Sequence, residues 1–157
     1  MAFSSGGKIK QYCIDNKINF RTINIIHSPR ASFTSYLYSM LKVLHITLNI
    51  KQEDILESIE ELKKISKKID SSNLTENNPS LKLAEWLTNI PMIYYPFGLQ
   101  SAAIRFKSSL QENVKTHVIT EDIIEACHNG IVSWERPSRV QPILLRGQDD
   151  YIKTKER

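Results

Sequence analysis

The residues with the clearest capacity for chemistry lie between positions 97 and 135. Glu112 stands in Gln-Glu-Asn-Val-Lys at the predicted end of a helix. His128 stands in Cys-His-Asn-Gly beyond the next helix, 128 − 112 = 16 positions later, which leaves room for a strand and a helical turn. A carboxylate held near a carbon acid can move a proton next to a carbonyl, and general base catalysis of this kind is worth roughly 10² to 10⁴ in rate. A surface acid and a structural histidine beside Trp134 are the plainer alternative. Two other places carry groups for anions. Arg30 follows Pro29 in the first turn of a predicted helix, at the carboxyl edge of a strand, where open α/β sheets bind ligands. A fixed guanidinium there could stabilise a forming oxyanion, or Arg30 is simply a surface arginine. Ser4-Ser5-Gly6-Gly7-Lys8 reads as a strand-to-helix turn, able to offer backbone N–H groups and hydroxyls to a phosphate. An ordinary βα turn with a helix cap accounts for it equally well.

The elements that must position these groups follow from hydrophobic period. Ala2-Phe3 ends a strand, and a helix is predicted over residues 9–16. Residues 20–26 are β-rich and read as a short buried strand. His27-Ser28-Pro29-Arg30 breaks that strand and starts a helix with Phe33, Leu37, Met40, Leu41, Leu44 and Leu48 on one face. Residues 51–69 form a second amphipathic helix, with Ile55, Ile59, Leu62, Ile65 and Ile69 on one stripe. Its acids come early and its lysines late, in the order that complements a helix dipole. Residues 71–78 are polar and aperiodic, the best candidate boundary. Asn78-Pro79 caps a helix over residues 80–87.

Residues 90–95 read as a buried strand, 99–113 as a helix with Ala102, Ala103, Phe106 and Leu110 against a sheet, and 116–119 as a strand. A helix over 121–126, an apolar stretch at 131–134 and a strand at 142–145 follow, before a charged tail from 146 to 157. Strands alternating with helices at this interval argue for a parallel, doubly wound sheet.

Composition narrows the function classes. With 157 residues and 41% hydrophobic composition the chain can build one real core and part of a second. Cys13 and Cys127 lie far apart without paired spacing, which disfavours a disulfide framework or zinc ribbon and favours a reducing cytoplasm. Cys127-His128 lacks a second ligand pair, so no metal is expected. No apolar run reaches the roughly 18 residues of a membrane span, and the first residues lack the pattern of a signal peptide. A soluble, intracellular chain without membrane partners is the expectation. The net charge of +4 is scattered, with no arginine-rich stripe interleaved with aromatics, so nucleic acid is not expected as a partner. The same mild field would draw a phosphorylated small molecule.

The order of these elements resembles the carboxyl-terminal part of the archaeal and bacterial bifunctional phosphoglucose/phosphomannose isomerases, in the sugar isomerase (SIS) superfamily. The resemblance spans nearly the whole chain. It rests on Ser5-Gly6-Gly7-Lys8, Pro29-Arg30-Ala31, Ile90-Pro91-Met92-Ile93-Tyr94, Arg105-Phe106-Lys107 leading to Glu112-Asn113-Val114-Lys115, and His128-Asn129 with Ile131-Val132 and Trp134-Glu135. It implies a three-layer αβα sandwich of flavodoxin-like SIS type. Residues 1–70 would be the tail end of a first SIS domain with connecting helices, 71–88 a linker and helix, and 89–157 a carboxyl-terminal SIS domain incomplete at its end.

The activity it implies is aldose–ketose isomerisation of glucose 6-phosphate or mannose 6-phosphate to fructose 6-phosphate through a cis-enediol, without metal or other cofactor. By the same resemblance Glu112 is the base between C1 and C2, His128 assists ring opening, Arg30 stabilises the enediolate, and Ser5, Gly6 and Gly7 contact substrate. A homodimer or a complementing chain is implied, with the histidine serving the neighbouring copy. Three departures stand out. The chain starts near the end of the first domain, past the loops that hold the sugar phosphate. Gly130 occupies a position where the family usually has glutamate. Lys153-Thr154-Lys155 does not match the family's catalytic lysine region. The other class of function is therefore a non-catalytic SIS module that binds a sugar phosphate or supplies an interface, for regulation or assembly.

Overall fold

The computed structural model describes residues 1–148 and 150–152. The chain forms two compact units, Met1–Asn73 and Leu74–Arg157. The division falls within the polar stretch that lacks periodicity.

In the first unit, strand β1 (Ala2–Ser4) leads through a glycine turn into helix α1 (Gly7–Asp15) and then strand β2 (Phe20–Thr22), which lies parallel to β1. The predicted strand over 20–26 is cut to three residues because its partner runs out. The N–H of Ile23 donates to the carbonyl of Ser4 at 2.9 Å, and β1 offers nothing beyond. The next helix also starts differently from expectation. Pro29–Ser32 is a 3₁₀ turn, in which the Ser32 hydroxyl donates to the Ser28 carbonyl at 2.8 Å, and α2 occupies Phe33–Leu44. It stops short of Leu48 in a turn that reaches Asn49 at φ 52°, a left-handed conformation that asparagine tolerates. Helix α3 (Gln52–Ile69) has the expected charge order, with Lys63 2.6 Å from Glu60 and Lys64 2.6 Å from Glu61. Both pairs are solvated, and such pairs contribute little.

The second unit starts with helix α4 (Pro79–Trp86). Its buried cap Asn78 accepts the Ser80 N–H at 2.9 Å, and Pro79 fills the first position, where no N–H is needed. Strand β3 (Ile90–Tyr95), helix α5 (Gln100–Asn113), strand β4 (Ile119–Asp122), helix α6 (Ile123–His128), a 3₁₀ turn (Gly130–Glu135) and strand β5 (Val140–Leu144) follow. The three strands are parallel in the order β4-β3-β5. This is the mixed α/β, parallel architecture that the alternation of elements implies.

The sheet is wound on both faces. Ile93 and Tyr95 face α5, where Ile93 and Ala103 are fully buried with Val118, Phe106, Leu110, Ile143 and Leu145 packed around them. Ala103 lets α5 approach the sheet, whereas Ala102, expected on the same face, is exposed. Residues of the opposite parity face the other way. There the Trp134 indole N–H donates to the Tyr94 hydroxyl at 3.0 Å, and that hydroxyl donates to the Met92 sulfur at 3.3 Å. Strand β4 lies three residues later than predicted. Its pairing with β3 starts at Met92↔Ile119, just past Pro91, which has no N–H to offer a ladder. Glu121 and Asp122 thus close a strand instead of opening a helix, and Asp122 caps α6 by accepting the Ile124 N–H at 2.8 Å.

Among the described residues no helix is long and apolar enough to cross a membrane. The tail from Lys153 onward, including Lys153-Thr154-Lys155, lies outside the described residues.

Candidate functional site

In a doubly wound sheet, ligands sit outside the carboxyl ends of the strands, where neighbouring connections leave for opposite faces. The order β4-β3-β5 puts that point between the ends of β3 and β5. One wall is the turn after Tyr95. The Leu99 N–H donates to the Pro96 carbonyl at 3.1 Å, and Gly98 has φ 88°, a conformation open to glycine and costly for other residues. The other wall follows β5, where the Leu145 N–H donates to the Tyr94 carbonyl at 2.9 Å. Asp150, its side chain almost fully buried, accepts from Arg146 Nε at 2.7 Å and from the Gly147 N–H at 3.0 Å. The Arg146–Asp150 pair therefore braces the rim.

The predicted catalytic groups fall around this frame as follows. Helix α5 starts at the carboxyl edge of β3 and runs back for 14 residues, about 20 Å. Glu112, next to its last residue, is exposed near the amino ends of the strands. The helix stops just beyond it, with Lys115 at φ 63° and the Lys115 ammonium donating to the Glu112 carbonyl. His128 is the last residue of α6, on the other face of the sheet, and is also exposed. It lines an open cavity of 620 Å³ with Ile124, Glu125, Cys127 and Ile131. No residue of α5 lines that cavity, so a single copy of the chain does not gather Glu112 and His128 around it.

The loop after His128 is held from α6. Glu125 accepts the Asn129 side-chain amide at 2.7 Å, and its carbonyl accepts the Asn129 backbone N–H at 3.0 Å.

Arg30, Ser5, Gly6 and Gly7 belong to the first unit. Arg30 is exposed in the 3₁₀ turn Pro29–Ser32. Gly6 (φ 136°) and Gly7 (φ 69°) both have positive φ, with open space where a Cβ would stand. The turn therefore needs glycine for its backbone conformation. The hydroxyl of Ser4, rather than that of Ser5, organises it, donating to the Gly6 carbonyl at 3.2 Å and accepting the Gly6 N–H at 3.3 Å.

Glu121 escaped the reading of the sequence. Its Oε2 is buried without a hydrogen-bond partner, an arrangement that folded proteins rarely tolerate for a carboxylate. It stands 3.2 Å from the place a Cβ on Gly130 would take, under the loop that follows His128. Two signals pointed to it: an acid in β-compatible alternation at 119–122, and glycine at 130 where the resemblance leads one to expect glutamate. Among the described residues no cluster of three His, Cys, Asp or Glu side chains could hold a metal ion.

A family model described as the bacterial phospho-glucose isomerase C-terminal SIS domain matches residues 76–157, just over half of the chain. The matched stretch includes Glu112, Glu121, Gly130 and His128. Arg30 and the Ser5-Gly6-Gly7 turn lie before it. No curated protein and no solved structure matches the chain. The parallel sheet wound on both faces and the family match agree, and the chain belongs to the family of bacterial phospho-glucose isomerase C-terminal SIS domains.

Proposed function

We propose that the chain acts in the isomerisation of a hexose 6-phosphate, glucose or mannose 6-phosphate to fructose 6-phosphate, through a cis-enediol. The observation that carries this reading is membership of the phospho-glucose isomerase SIS family over the stretch that contains both Glu112 and His128. In the proposed reaction the Glu112 carboxylate removes the proton from C2 of the open-chain aldose. The C1 carbonyl becomes an enediolate, and the Glu112 carboxyl, whose proton exchanges in part with water, delivers a proton to C1 as the C2 oxygen becomes the ketone. Proton transfer by a positioned carboxylate contributes roughly 10² to 10⁴ in rate. His128 moves a proton between the ring oxygen and O1 during ring opening. Arg30 offsets the enediolate charge, and Ser5, Gly6 and Gly7 contact the substrate. Glu112 and His128 are joined in one site by a second copy of the chain, each copy giving one of the two groups.

A second reading is favoured by Gly130, which stands where the family usually carries glutamate, and by the buried, unpartnered Glu121 oxygen beside it. In that reading the chain is a non-catalytic SIS module that binds the sugar phosphate. A coupled assay that follows glucose 6-phosphate formed from fructose 6-phosphate separates the two. Turnover that Glu112→Gln lowers at least a hundredfold supports the enzyme. Saturable binding of fructose 6-phosphate without turnover supports the module.

A further inference from the structure

The net positive charge, scattered as it looks along the chain, belongs to one segment. Residues 1–51 carry seven lysines and arginines against one acid, Asp15, a net of +6, and residues 52–157 carry 14 against 16, a net of −2. Asp15 lies on α1, where it accepts from the Gln11 side-chain amide at 2.8 Å. Two of the seven cations meet at a cavity of 540 Å³ within the first unit, lined by Phe3, Arg21 and Thr22 from the strands and by Ser39, Lys42 and Val43 from α2. Phe3 and Arg21 are partners in the β1–β2 register and so share a face of the pair. Ser39, Lys42 and Val43 follow steps of three and four and share a face of α2. The cavity thus has a cation on each wall, a hydroxyl beside each cation, and no acid. Among the described residues neither the Arg21 nor the Lys42 side chain forms an ion pair or a hydrogen bond. Facing like charges repel, and an anion between them reverses the sign of that interaction.

We infer that this cavity binds a small phosphomonoester with an apolar or aromatic body. The Arg21 guanidinium presents a planar fork to two phosphate oxygens, the Lys42 ammonium supplies the second positive charge of a dianion site, and the Thr22 and Ser39 hydroxyls are further donors. Phe3 and Val43 make the rest of the lining apolar, so the carbon body of the ligand gains by entering along with its phosphate. Two cations in a bounded cavity suit a small molecule, whereas a nucleic-acid strand needs a run of cations along a surface. None of Arg30, Ser5, Gly6 and Gly7 lines the cavity. The site therefore stands apart from the groups assigned to the hexose phosphate, and the inference does not rest on that reading.

The test titrates the full chain and its Arg21→Gln, Lys42→Gln and Lys10→Gln variants by calorimetry at neutral pH. The probes are phenyl phosphate, inorganic phosphate, fructose 6-phosphate and a short single-stranded DNA. Lys10, on α1, carries the same charge in the same segment but does not line the cavity. The parent is expected to bind phenyl phosphate about tenfold more tightly than inorganic phosphate, with the two competing for one site. Arg21→Gln and Lys42→Gln are each expected to lower the affinity for phenyl phosphate about tenfold or more, and Lys10→Gln by less than about twofold. Arg21 and Lys42 are exposed, so helical circular dichroism is expected to be retained, and should one of the two variants unfold the other decides. Equal losses in all three variants would mean a diffuse field, and no loss in Arg21→Gln and Lys42→Gln a site elsewhere. DNA bound more tightly than phenyl phosphate would mean a nucleic-acid surface. Fructose 6-phosphate affinity that falls with Arg21→Gln as far as that of phenyl phosphate would make the cavity part of the substrate site. Each of these results would overturn the inference.

Discussion

The two units use amphipathic helices to different ends. In Leu74–Arg157, helix α5 lays Ala103, Phe106 and Leu110 on a three-stranded sheet, and Ile93 and Ala103 vanish from solvent. In Met1–Asn73, helices α2 and α3 have apolar faces of similar quality but only a pair of three-residue strands in the same unit, and neither helix buries a residue. An apolar stripe at helical spacing therefore specifies a helix and which side of it is apolar, while burial depends on what the rest of the fold supplies. The unit with the sheet also contains Glu112 and His128. The other presents the glycine turn, Arg30 and the uncovered stripe.

Substitutions can sharpen this contrast. The largest effect on stability is expected from Ile93→Ala, at the centre of the closed core, with a loss of about 2–5 kcal/mol. Both tryptophans, Trp86 and Trp134, lie in the second unit, so their fluorescence during denaturant unfolding reads that unit alone. Asn78→Ala removes the buried cap of α4 and is expected to cost about 0.5–2 kcal/mol in the same measurement. Trp134→Phe keeps an aromatic ring but removes the donor to Tyr94, for a loss of about 0.5–1.5 kcal/mol. In the first unit, Leu62→Ala is expected to change stability by less than about 1 kcal/mol when measured at dilution, because the side chain is already half in water. A loss as large as that of Ile93→Ala would erase the contrast.

The smallest effect is expected in a titration followed by NMR. The Lys63 ammonium, through its hydrogen bond and its charge, holds the Glu60 carboxyl below the usual glutamate range. Lys63→Ala should raise its midpoint towards that range, with Lys64 and Lys67 still holding it down in part.

Much of the fold could be read from residue patterns, and the reasons it could not elsewhere are local. The strand at 90–95, the helix ending at Asn113 and the cap at Asn78 announce themselves by apolar runs, period and turn chemistry. Strand β2 ended early because strand length is set by a partner, and no period within residues 20–26 carries that information. Strand β4 slid by three residues because its register is dictated by β3 and by Pro91 across the ladder. The candidate site was legible in residue types and less so in placement. A carboxylate and an imidazole sixteen positions apart are visible in the chain, but they end helices on different faces of the sheet. Glu121 stayed hidden because an acid at a strand end next to a helix cap looks like a first-turn acid until the pairing with Tyr94 shows otherwise.

The central claim, proton transfer on a hexose phosphate by Glu112, is tested most directly by incubating fructose 6-phosphate with the chain in deuterated water and following its carbon-bound protons by NMR. The expected result is deuterium at C1 of the ketose and C2 of the aldose formed from it, lost on Glu112→Gln. Fructose 6-phosphate recovered with every carbon-bound proton in place, and no aldose beside it, would contradict the claim.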